Sequence, residues 1–277
     1  MNLFDQMLSR YEISTNDDYR NALHEVMQQV ALAGLYRNGF FDKAAFYGGT
    51  CLRIFHKVER FSEDMDFSLL EPNMLFTLED YFDSIKNEFK LLGRDIIINK
   101  KVKQKDSNID SAFLKEDTEI FDLKFSTEKN IKIKLEVDTN PPLGFETESK
   151  LLILPFSFMT RCYTLPNLYA GKMHALIFRS WKTRVKGRDW YDFEWYVRNN
   201  IKLNFNHFLM RVEQFGSLKD VELDKESFKK ILKDKILNTN IELVKDDIRP
   251  FIKDITILNI WSIDYFCQLV DMIIFEE

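Results

Sequence analysis

The densest run of chemistry-bearing residues is Phe46-Tyr47-Gly48-Gly49-Thr50-Cys51-Leu52-Arg53, followed closely by Arg60-Phe61-Ser62-Glu63-Asp64-Met65-Asp66-Phe67. Two glycines and a threonine between an apolar strand and a helix let the backbone approach a phosphate, and the helix start adds unpaired N–H groups at a positive dipole end. The Gly-Lys-Ser/Thr ending of a Walker A loop is missing. Asp64 and Asp66 stand at i and i+2, so an extended segment points both carboxylates the same way. Two such oxygens side by side call for a cation, and Mg²⁺ (or Mn²⁺) is the hard ion that prefers this donor set. Glu136 or Asp138, on the polar face of a later strand, can supply a third carboxylate.

Each piece alone has a plain structural reading: a Gly-Gly turn, a solvated acid pair, the wet side of a sheet. The order strand, Gly-Gly-Thr, helix, Asp-x-Asp strand, acidic strand serves one task. It holds a nucleoside triphosphate (NTP) by its phosphates while metal ions bridge the leaving and attacking groups. Farther along, Lys172 lies four residues from both Leu168 and Leu176. It therefore sits on an apolar helical stripe, where it must snorkel out, meet a carboxylate or meet a bound phosphate. Asp189 and Asp192 share one side of a helix start, where acids also favour the dipole. From Arg161 to Arg188 run seven basic residues (Arg161, Lys172, Arg179, Lys182, Arg184, Lys186, Arg188) with Trp181 interleaved and no acid. Such a stretch can hold an RNA backbone or triphosphate charge, or simply be a solvated helix end. His174 reads as packing or a helper contact, not as a metal ligand.

The elements that must position these residues are legible by period. A helix over 18–38 is capped by Asp17 or Asp18, buries Leu23, Val26, Met27 and Val30, and stops at Gly39. Strands are expected at 44–47, 65–70, 95–102, 120–126 and 131–138, with a short helix through Phe55 and another over 78–92. In the last strand Ile131, Ile133, Leu135 and Val137 alternate with Lys132, Lys134, Glu136 and Asp138, the mark of one buried and one polar face. After Pro166 the pattern becomes helical to the end, with a packed terminal helix within 257–275. The architecture is α+β, divided as 1–164 (sheet and helices) and 165–277 (helical, contributing to a shared cleft).

Composition bounds the rest. A chain of 277 residues with 45% apolar content and 25 Phe buries a sizeable core, which excludes disorder. Three distant cysteines speak against a disulfide framework and for a reducing cytoplasm. No secretion signal or bilayer-spanning run of about 20 apolar residues appears. The net charge of −5 excludes indiscriminate coating of nucleic acid and leaves room for a local basic patch.

The string Gly48-Gly49-Thr50 … Arg60-x-Ser62-x-Asp64-x-Asp66-Phe67 resembles the first motif of the AbiEii/AbiGii toxin family, a branch of the polymerase-β-type nucleotidyltransferases. The likeness continues through Lys134 to Pro142, Leu168 to Leu176 and Lys186 to Asp192, in family order. It implies a polymerase-β-type nucleotidyltransferase fold followed by a helical C-terminal region, and an Mg-dependent nucleotidyltransferase toxin. Implied metal ligands are Asp64, Asp66 and Glu136. The catalytic set adds Asp138, Lys172, Asp189 and Asp192, with an acid of the last pair as base or as anchor for Lys172. Implied nucleotide contacts are Gly48, Gly49, Thr50, Arg53, Ser62, Lys172 and Arg188. The resemblance further implies an RNA acceptor, the 3′ end of tRNA above all, growth arrest, a bacterial cytoplasmic setting, abortive infection and a neighbouring antitoxin. Two other readings share the residues: transfer to a protein hydroxyl, and a non-catalytic nucleotide- or RNA-binding protein.

Overall fold

The structure, a computed structural model, describes residues 2–100, 118–125, 132–179, 185–216 and 223–277. A short helix α1 (Leu3–Leu8) precedes a long one, α2 (Asn16–Arg37). Thr15, not Asp17 or Asp18, caps α2. Its hydroxyl accepts from the Asp18 N–H while the Asp18 carboxylate accepts from the Thr15 N–H, so two orphan donors are satisfied reciprocally. Gly39, at φ +68°, takes the chain out of the helix as expected.

Next come β1 (Ala44–Tyr47), α3 (Gly48–His56), β2 (Asp64–Leu69), α4 (Phe82–Leu91), β3 (Ile96–Lys100), β4 (Thr118–Phe125), β5 (Lys132–Asp138), β6 (Thr147–Leu152) and β7 (Phe158–Tyr163). The strands form one mixed sheet in the order β3-β4-β5-β2-β1-β7-β6. β2 runs antiparallel to β1 and parallel to β5, and the β2–β5 register sets Asp64 beside Lys134, Asp66 beside Glu136 and Ser68 beside Asp138. The alternation expected in β5 is present: Ile133, Leu135 and Val137 are buried. Val102, Ser126 and Ile131, at the ends of expected strands, lie outside the described residues.

Three elements differ from expectation. The helix over 78–92 opens as a 3-10 turn, Leu78–Tyr81, before α4. β6 and β7 carry no readable apolar period: β6, an edge strand, alternates in exposure but is polar over Thr147–Lys150, and β7 mixes Thr160 and Arg161 into its pattern. The terminal segment is a 3-10 turn, Ile255–Ile260, then a helix restarted by Ser262, whose side chain accepts from the Tyr265 N–H.

Beyond Thr164 the chain is mainly helical: α5 (Leu165–Phe178), α6 (Gly187–Arg198), α7 (Phe205–Phe215), α8 (Lys225–Leu237), α9 (Ile241–Ile248) and α10 (Ile263–Asp271). A two-residue ribbon pairs β8 (Lys202–Leu203) with β9 (Ile274–Phe275). One hydrophobic core, from Phe4 to Ile273, runs through both halves. His174 is buried against Phe178 and Phe215, as its packing role requires. Cys51, Cys162 and Cys267 are unbridged. Among the described residues no helix is long and apolar enough to cross a membrane.

Candidate active site

β1 delivers the chain directly into α3, so Gly48, Gly49 and Thr50 form the first helical turn itself. Tyr47, at the N-cap, makes no side-chain cap bond, which leaves first-turn N–H groups without a side-chain acceptor. Gly48 has φ +80°, and a Cβ there would stand 2.4 Å from Asp66 Oδ2. Both facts demand glycine: the backbone is left-handed and a carboxylate packs onto it. At Gly49 a Cβ would meet Arg60 Nη2 at 2.7 Å and Ser62 Oγ at 3.0 Å. The glycine pair thus makes room first for side chains of the protein itself.

Asp64 and Asp66 lie on one face of β2, with Glu136 beside Asp66 on β5. Burial, then the charges of Glu136 and Asp64, pushes the Asp66 carboxyl up to about 8. Lys134 is ion-paired with Glu136 and senses Asp64 and Asp66, so its ammonium is held above its ordinary range despite burial. A row of three carboxylates whose central member is neutral at pH 7 has the donor chemistry of a divalent-cation site. Among the described residues no three acidic, histidine or cysteine side chains already converge as a finished metal centre. Glu136 pairs with Lys134 and also shares a hydrogen bond with Asp66. Asp138, at the end of β5, accepts from the Asn140 N–H at 3.1 Å, and its charge acts on Tyr47 and Tyr163.

On the other side of the α3 start lies a buried cluster of opposite character. Lys172 Nζ is 2.7 Å from Asp189 Oδ1 and 2.8 Å from Asp192 Oδ2. Of the three fates open to this lysine, the structure shows the carboxylates. Asp192 is also held by Arg60, through Nε at 2.5 Å and Nη2 at 2.6 Å, with both side chains at most 1% exposed. Asp189 takes a further bond from Arg179 Nη1 at 2.9 Å. Burial alone would raise both acids. Lys172, Arg179 and Lys186 outweigh it at Asp189, and Arg60 and Lys172 at Asp192, so each carboxyl lies below its ordinary range. Lys186, in turn, is pushed down to about 8 by burial and by neighbouring Arg179, against the pull of Asp189. Lys186 also acts on Asp66, so it stands where the two clusters meet.

The remaining candidates are placed as follows. Thr50 is fully buried; its hydroxyl donates to the Asp64 carbonyl and lies 2.9 Å from Ser62 Oγ, which ties α3 to β2. Arg53 points elsewhere, to Glu25 at 2.8 Å and the Val58 carbonyl at 3.0 Å. Arg188 pairs with Glu63 at 3.2 Å and lies over the Phe251 ring at 4.1 Å. The basic stretch does not form one patch. Arg161 sits on β7, in a pocket with Arg37 and Asp42, whereas Lys172, Arg179 and Lys186 gather at Asp189. Trp181, Lys182 and Arg184 lie outside the described residues.

The spacing of residues singles out neither Arg60 nor Lys134, and Lys186 enters only as one of seven basic residues between Arg161 and Arg188. Arg60 is paired across 132 residues of chain, and no local period reports such a contact. Lys134 carries a weak signal, because it shares the polar face of β5 with Glu136.

The family model for the nucleotidyl transferase AbiEii toxin of type IV toxin–antitoxin (TA) systems matches residues 30–269. Among solved structures, the chain is similar to MenT4, a nucleotidyltransferase toxin from Mycobacterium tuberculosis H37Rv, with TM-score 0.55, 14% identity and coverage of 96% of this chain and 93% of that one. It is also similar to JHP933 from Helicobacter pylori, with TM-score 0.52, 16% identity and coverage of 94% and 91%. These likenesses bear on the fold. No curated protein matches the chain significantly in sequence.

Proposed function

The chain belongs to the AbiEii family of nucleotidyltransferase toxins, and on that premise we propose that it transfers a nucleotide from an NTP to an RNA acceptor, the 3′ end of tRNA, and so stops translation. One observation carries the reading: a surplus of carboxylates and a surplus of cations meet at the uncapped start of α3. A metal-bound triphosphate has the complementary polarity. We treat 1–164 as the nucleotidyltransferase half and 165–277 as the helical half that supplies the cations.

Asp64, Asp66 and Glu136 are the side chains that would hold Mg²⁺ or Mn²⁺, with Glu136 rather than Asp138 as third acid because it stands beside Asp66. The ion, when bound, offsets charge on the reacting phosphate. The first-turn amides at Gly48, Gly49 and Thr50 face the phosphates as backbone donors. Lys172, Arg179 and Lys186 oppose the charge that grows on the departing pyrophosphate. Asp189 and Asp192 act as anchors for Lys172. A carboxyl held well below its ordinary range, with cations on its oxygens, is a poor base. In this reading Thr50 and Ser62 shape the turn, and Arg53 stays outside the nucleotide's reach.

A type IV TA family implies a cognate antitoxin, which we place in a neighbouring gene of a bacterial host, with the enzyme in the cytoplasm.

The test incubates purified protein with Mg²⁺, each of the four α-labelled NTPs in turn, total bacterial RNA and soluble protein, with Asp64→Ala/Asp66→Ala as control. Label in a tRNA-sized band, lost in the control, is the expected result. Label in a protein band instead would move the acceptor to a polypeptide hydroxyl. Label in neither would overturn the transfer reading.

A further inference from the structure

Arg211, on α7, is a cation with no salt-bridge partner among the described residues. Arg53, Arg60, Arg179 and Arg188 each meet an acid. No carboxylate pairs with Arg211 among the described residues, and its Nε is buried without a hydrogen-bond partner. An unsatisfied buried donor on a charged group costs stability, so its persistence asks for a ligand.

Its surroundings say which kind. The guanidinium carbon lies 3.7 Å from where a Cβ on Gly171 would stand, so it rests against α5 at the residue before Lys172. Its guanidinium carbon lies 5.8 Å from the Phe215 ring centroid, and its charge acts on a column of stacked rings. Tyr47 stacks on Tyr163 at 5.2 Å, Tyr163 on Phe145 at 4.2 Å, and His207 meets the edges of the latter two at 6.0 Å. Tyr47 stands opposite Asp66 in the β1–β2 register, which places this column next to the carboxylate row. Burial raises both tyrosine hydroxyls and the Arg211 charge opposes it, while burial and Arg211 together push His207 down to about 3. His207 is therefore neutral and leaves the positive charge undiluted.

We propose that Arg211, seated against α5 at Gly171, is a phosphate-binding subsite near the carboxylate row and takes a nucleotide phosphate, either from the donor triphosphate or from the backbone of the RNA acceptor. A planar guanidinium matches two phosphate oxygens at once, and the burial of its Nε strengthens that pair. The proposal rests on the transfer reading for its choice of ligands.

Binding without turnover tests it. Wild type, Arg211→Gln and Arg211→Lys are titrated, with Mg²⁺ present, against non-hydrolysable analogues of each NTP and against a labelled RNA with a single-stranded 3′ end. Arg211→Gln weakens one of the two ligand classes about tenfold, a difference of about 1.4 kcal/mol. Arg211→Lys recovers part of the loss. If the phosphate is the RNA's, the slope of log K against log salt also falls by about one. Unchanged affinity for both ligand classes overturns the subsite, as does a fall in kcat with both affinities intact. Should Arg211→Gln fail to fold, Arg211→Lys carries the test through loss of the planar fork, and unchanged binding again overturns it. A wild-type protein that binds both ligands but transfers nothing counts against the transfer reading and leaves the subsite standing.

Discussion

The two charged clusters flanking α3 have opposite imbalances. On the β2–β5 face three acids, Asp64, Asp66 and Glu136, share one lysine, Lys134. Around α5 and α6 four cations, Arg60, Lys172, Arg179 and Lys186, share Asp189 and Asp192. In each cluster the group left over is driven toward neutrality: Asp66 is pushed up to about 8 and Lys186 down to about 8. The well-paired groups move the other way, and Asp189 and Asp192 are firmly ionised. The contrast separates scaffold from ligand site. Satisfied charges hold the helices in place, whereas surplus charge marks where a cation and an anion are to come.

The largest effect is expected where the acid surplus is removed. Asp64→Asn or Asp66→Asn lowers labelled-nucleotide transfer by about a thousandfold while binding of RNA is retained; near-normal transfer would break the contrast at its acidic end. Next is Arg60→Met. It strands Asp192 beside Lys172 alone in a site where both partners of the lost pair are at most 1% exposed. Breaking a buried pair from one side costs about 3–5 kcal/mol, read from urea denaturation. A change near zero would mean that the cluster is wetter than its geometry indicates.

The pH dependence of Mg²⁺ binding sharpens the comparison. The Asp66 carboxyl is raised in the fold, so the stability it contributes is full below about pH 4 and is lost as the pH climbs through about 8. A bound divalent ion removes that penalty and displaces the proton. The rise in Tm caused by Mg²⁺ therefore grows between about pH 6.5 and 8.5. Asp66→Asn abolishes the growth, and a Mg²⁺ effect flat in pH would refute the role given to this acid. The smallest change is expected at Arg53→Gln. Its partner is Glu25, outside both clusters, so transfer kinetics stay within about twofold and stability falls by about 1 kcal/mol or less. A large rise in KM for the NTP would return Arg53 to the nucleotide site.

Much of the carboxylate row is visible in the chain because its logic is local. Alternation in β5 names the polar face that carries Lys134, Glu136 and Asp138, and the i, i+2 spacing of Asp64 and Asp66 gives them a common face. The cationic cluster is only half visible. The stripe through Leu168, Lys172 and Leu176 shows that the lysine faces inward, and the Asp189/Asp192 spacing shows two acids on one side of α6. That those two motifs meet each other, and that Arg60 arrives from the β2 side to complete them, has no local signature. The same holds for β6 and β7, whose pairing at the sheet edge leaves no clean apolar period.

Residue order and spacing alone determined the kinds of group available, the mixed α+β class and the strand–Gly-Gly–helix–Asp-x-Asp arrangement, since backbone period and side-chain chemistry are properties of neighbours in the chain. The tertiary structure decided which charges are paired and which are left over. It split the run from Arg161 to Arg188 between β7 and the α5–α6 cluster, turned Arg53 away, and seated Arg211 against α5 near the Phe215 ring. Pairing and burial are set by distances between segments far apart in sequence, and they govern whether a charge is screened, neutralised or held in readiness for a ligand.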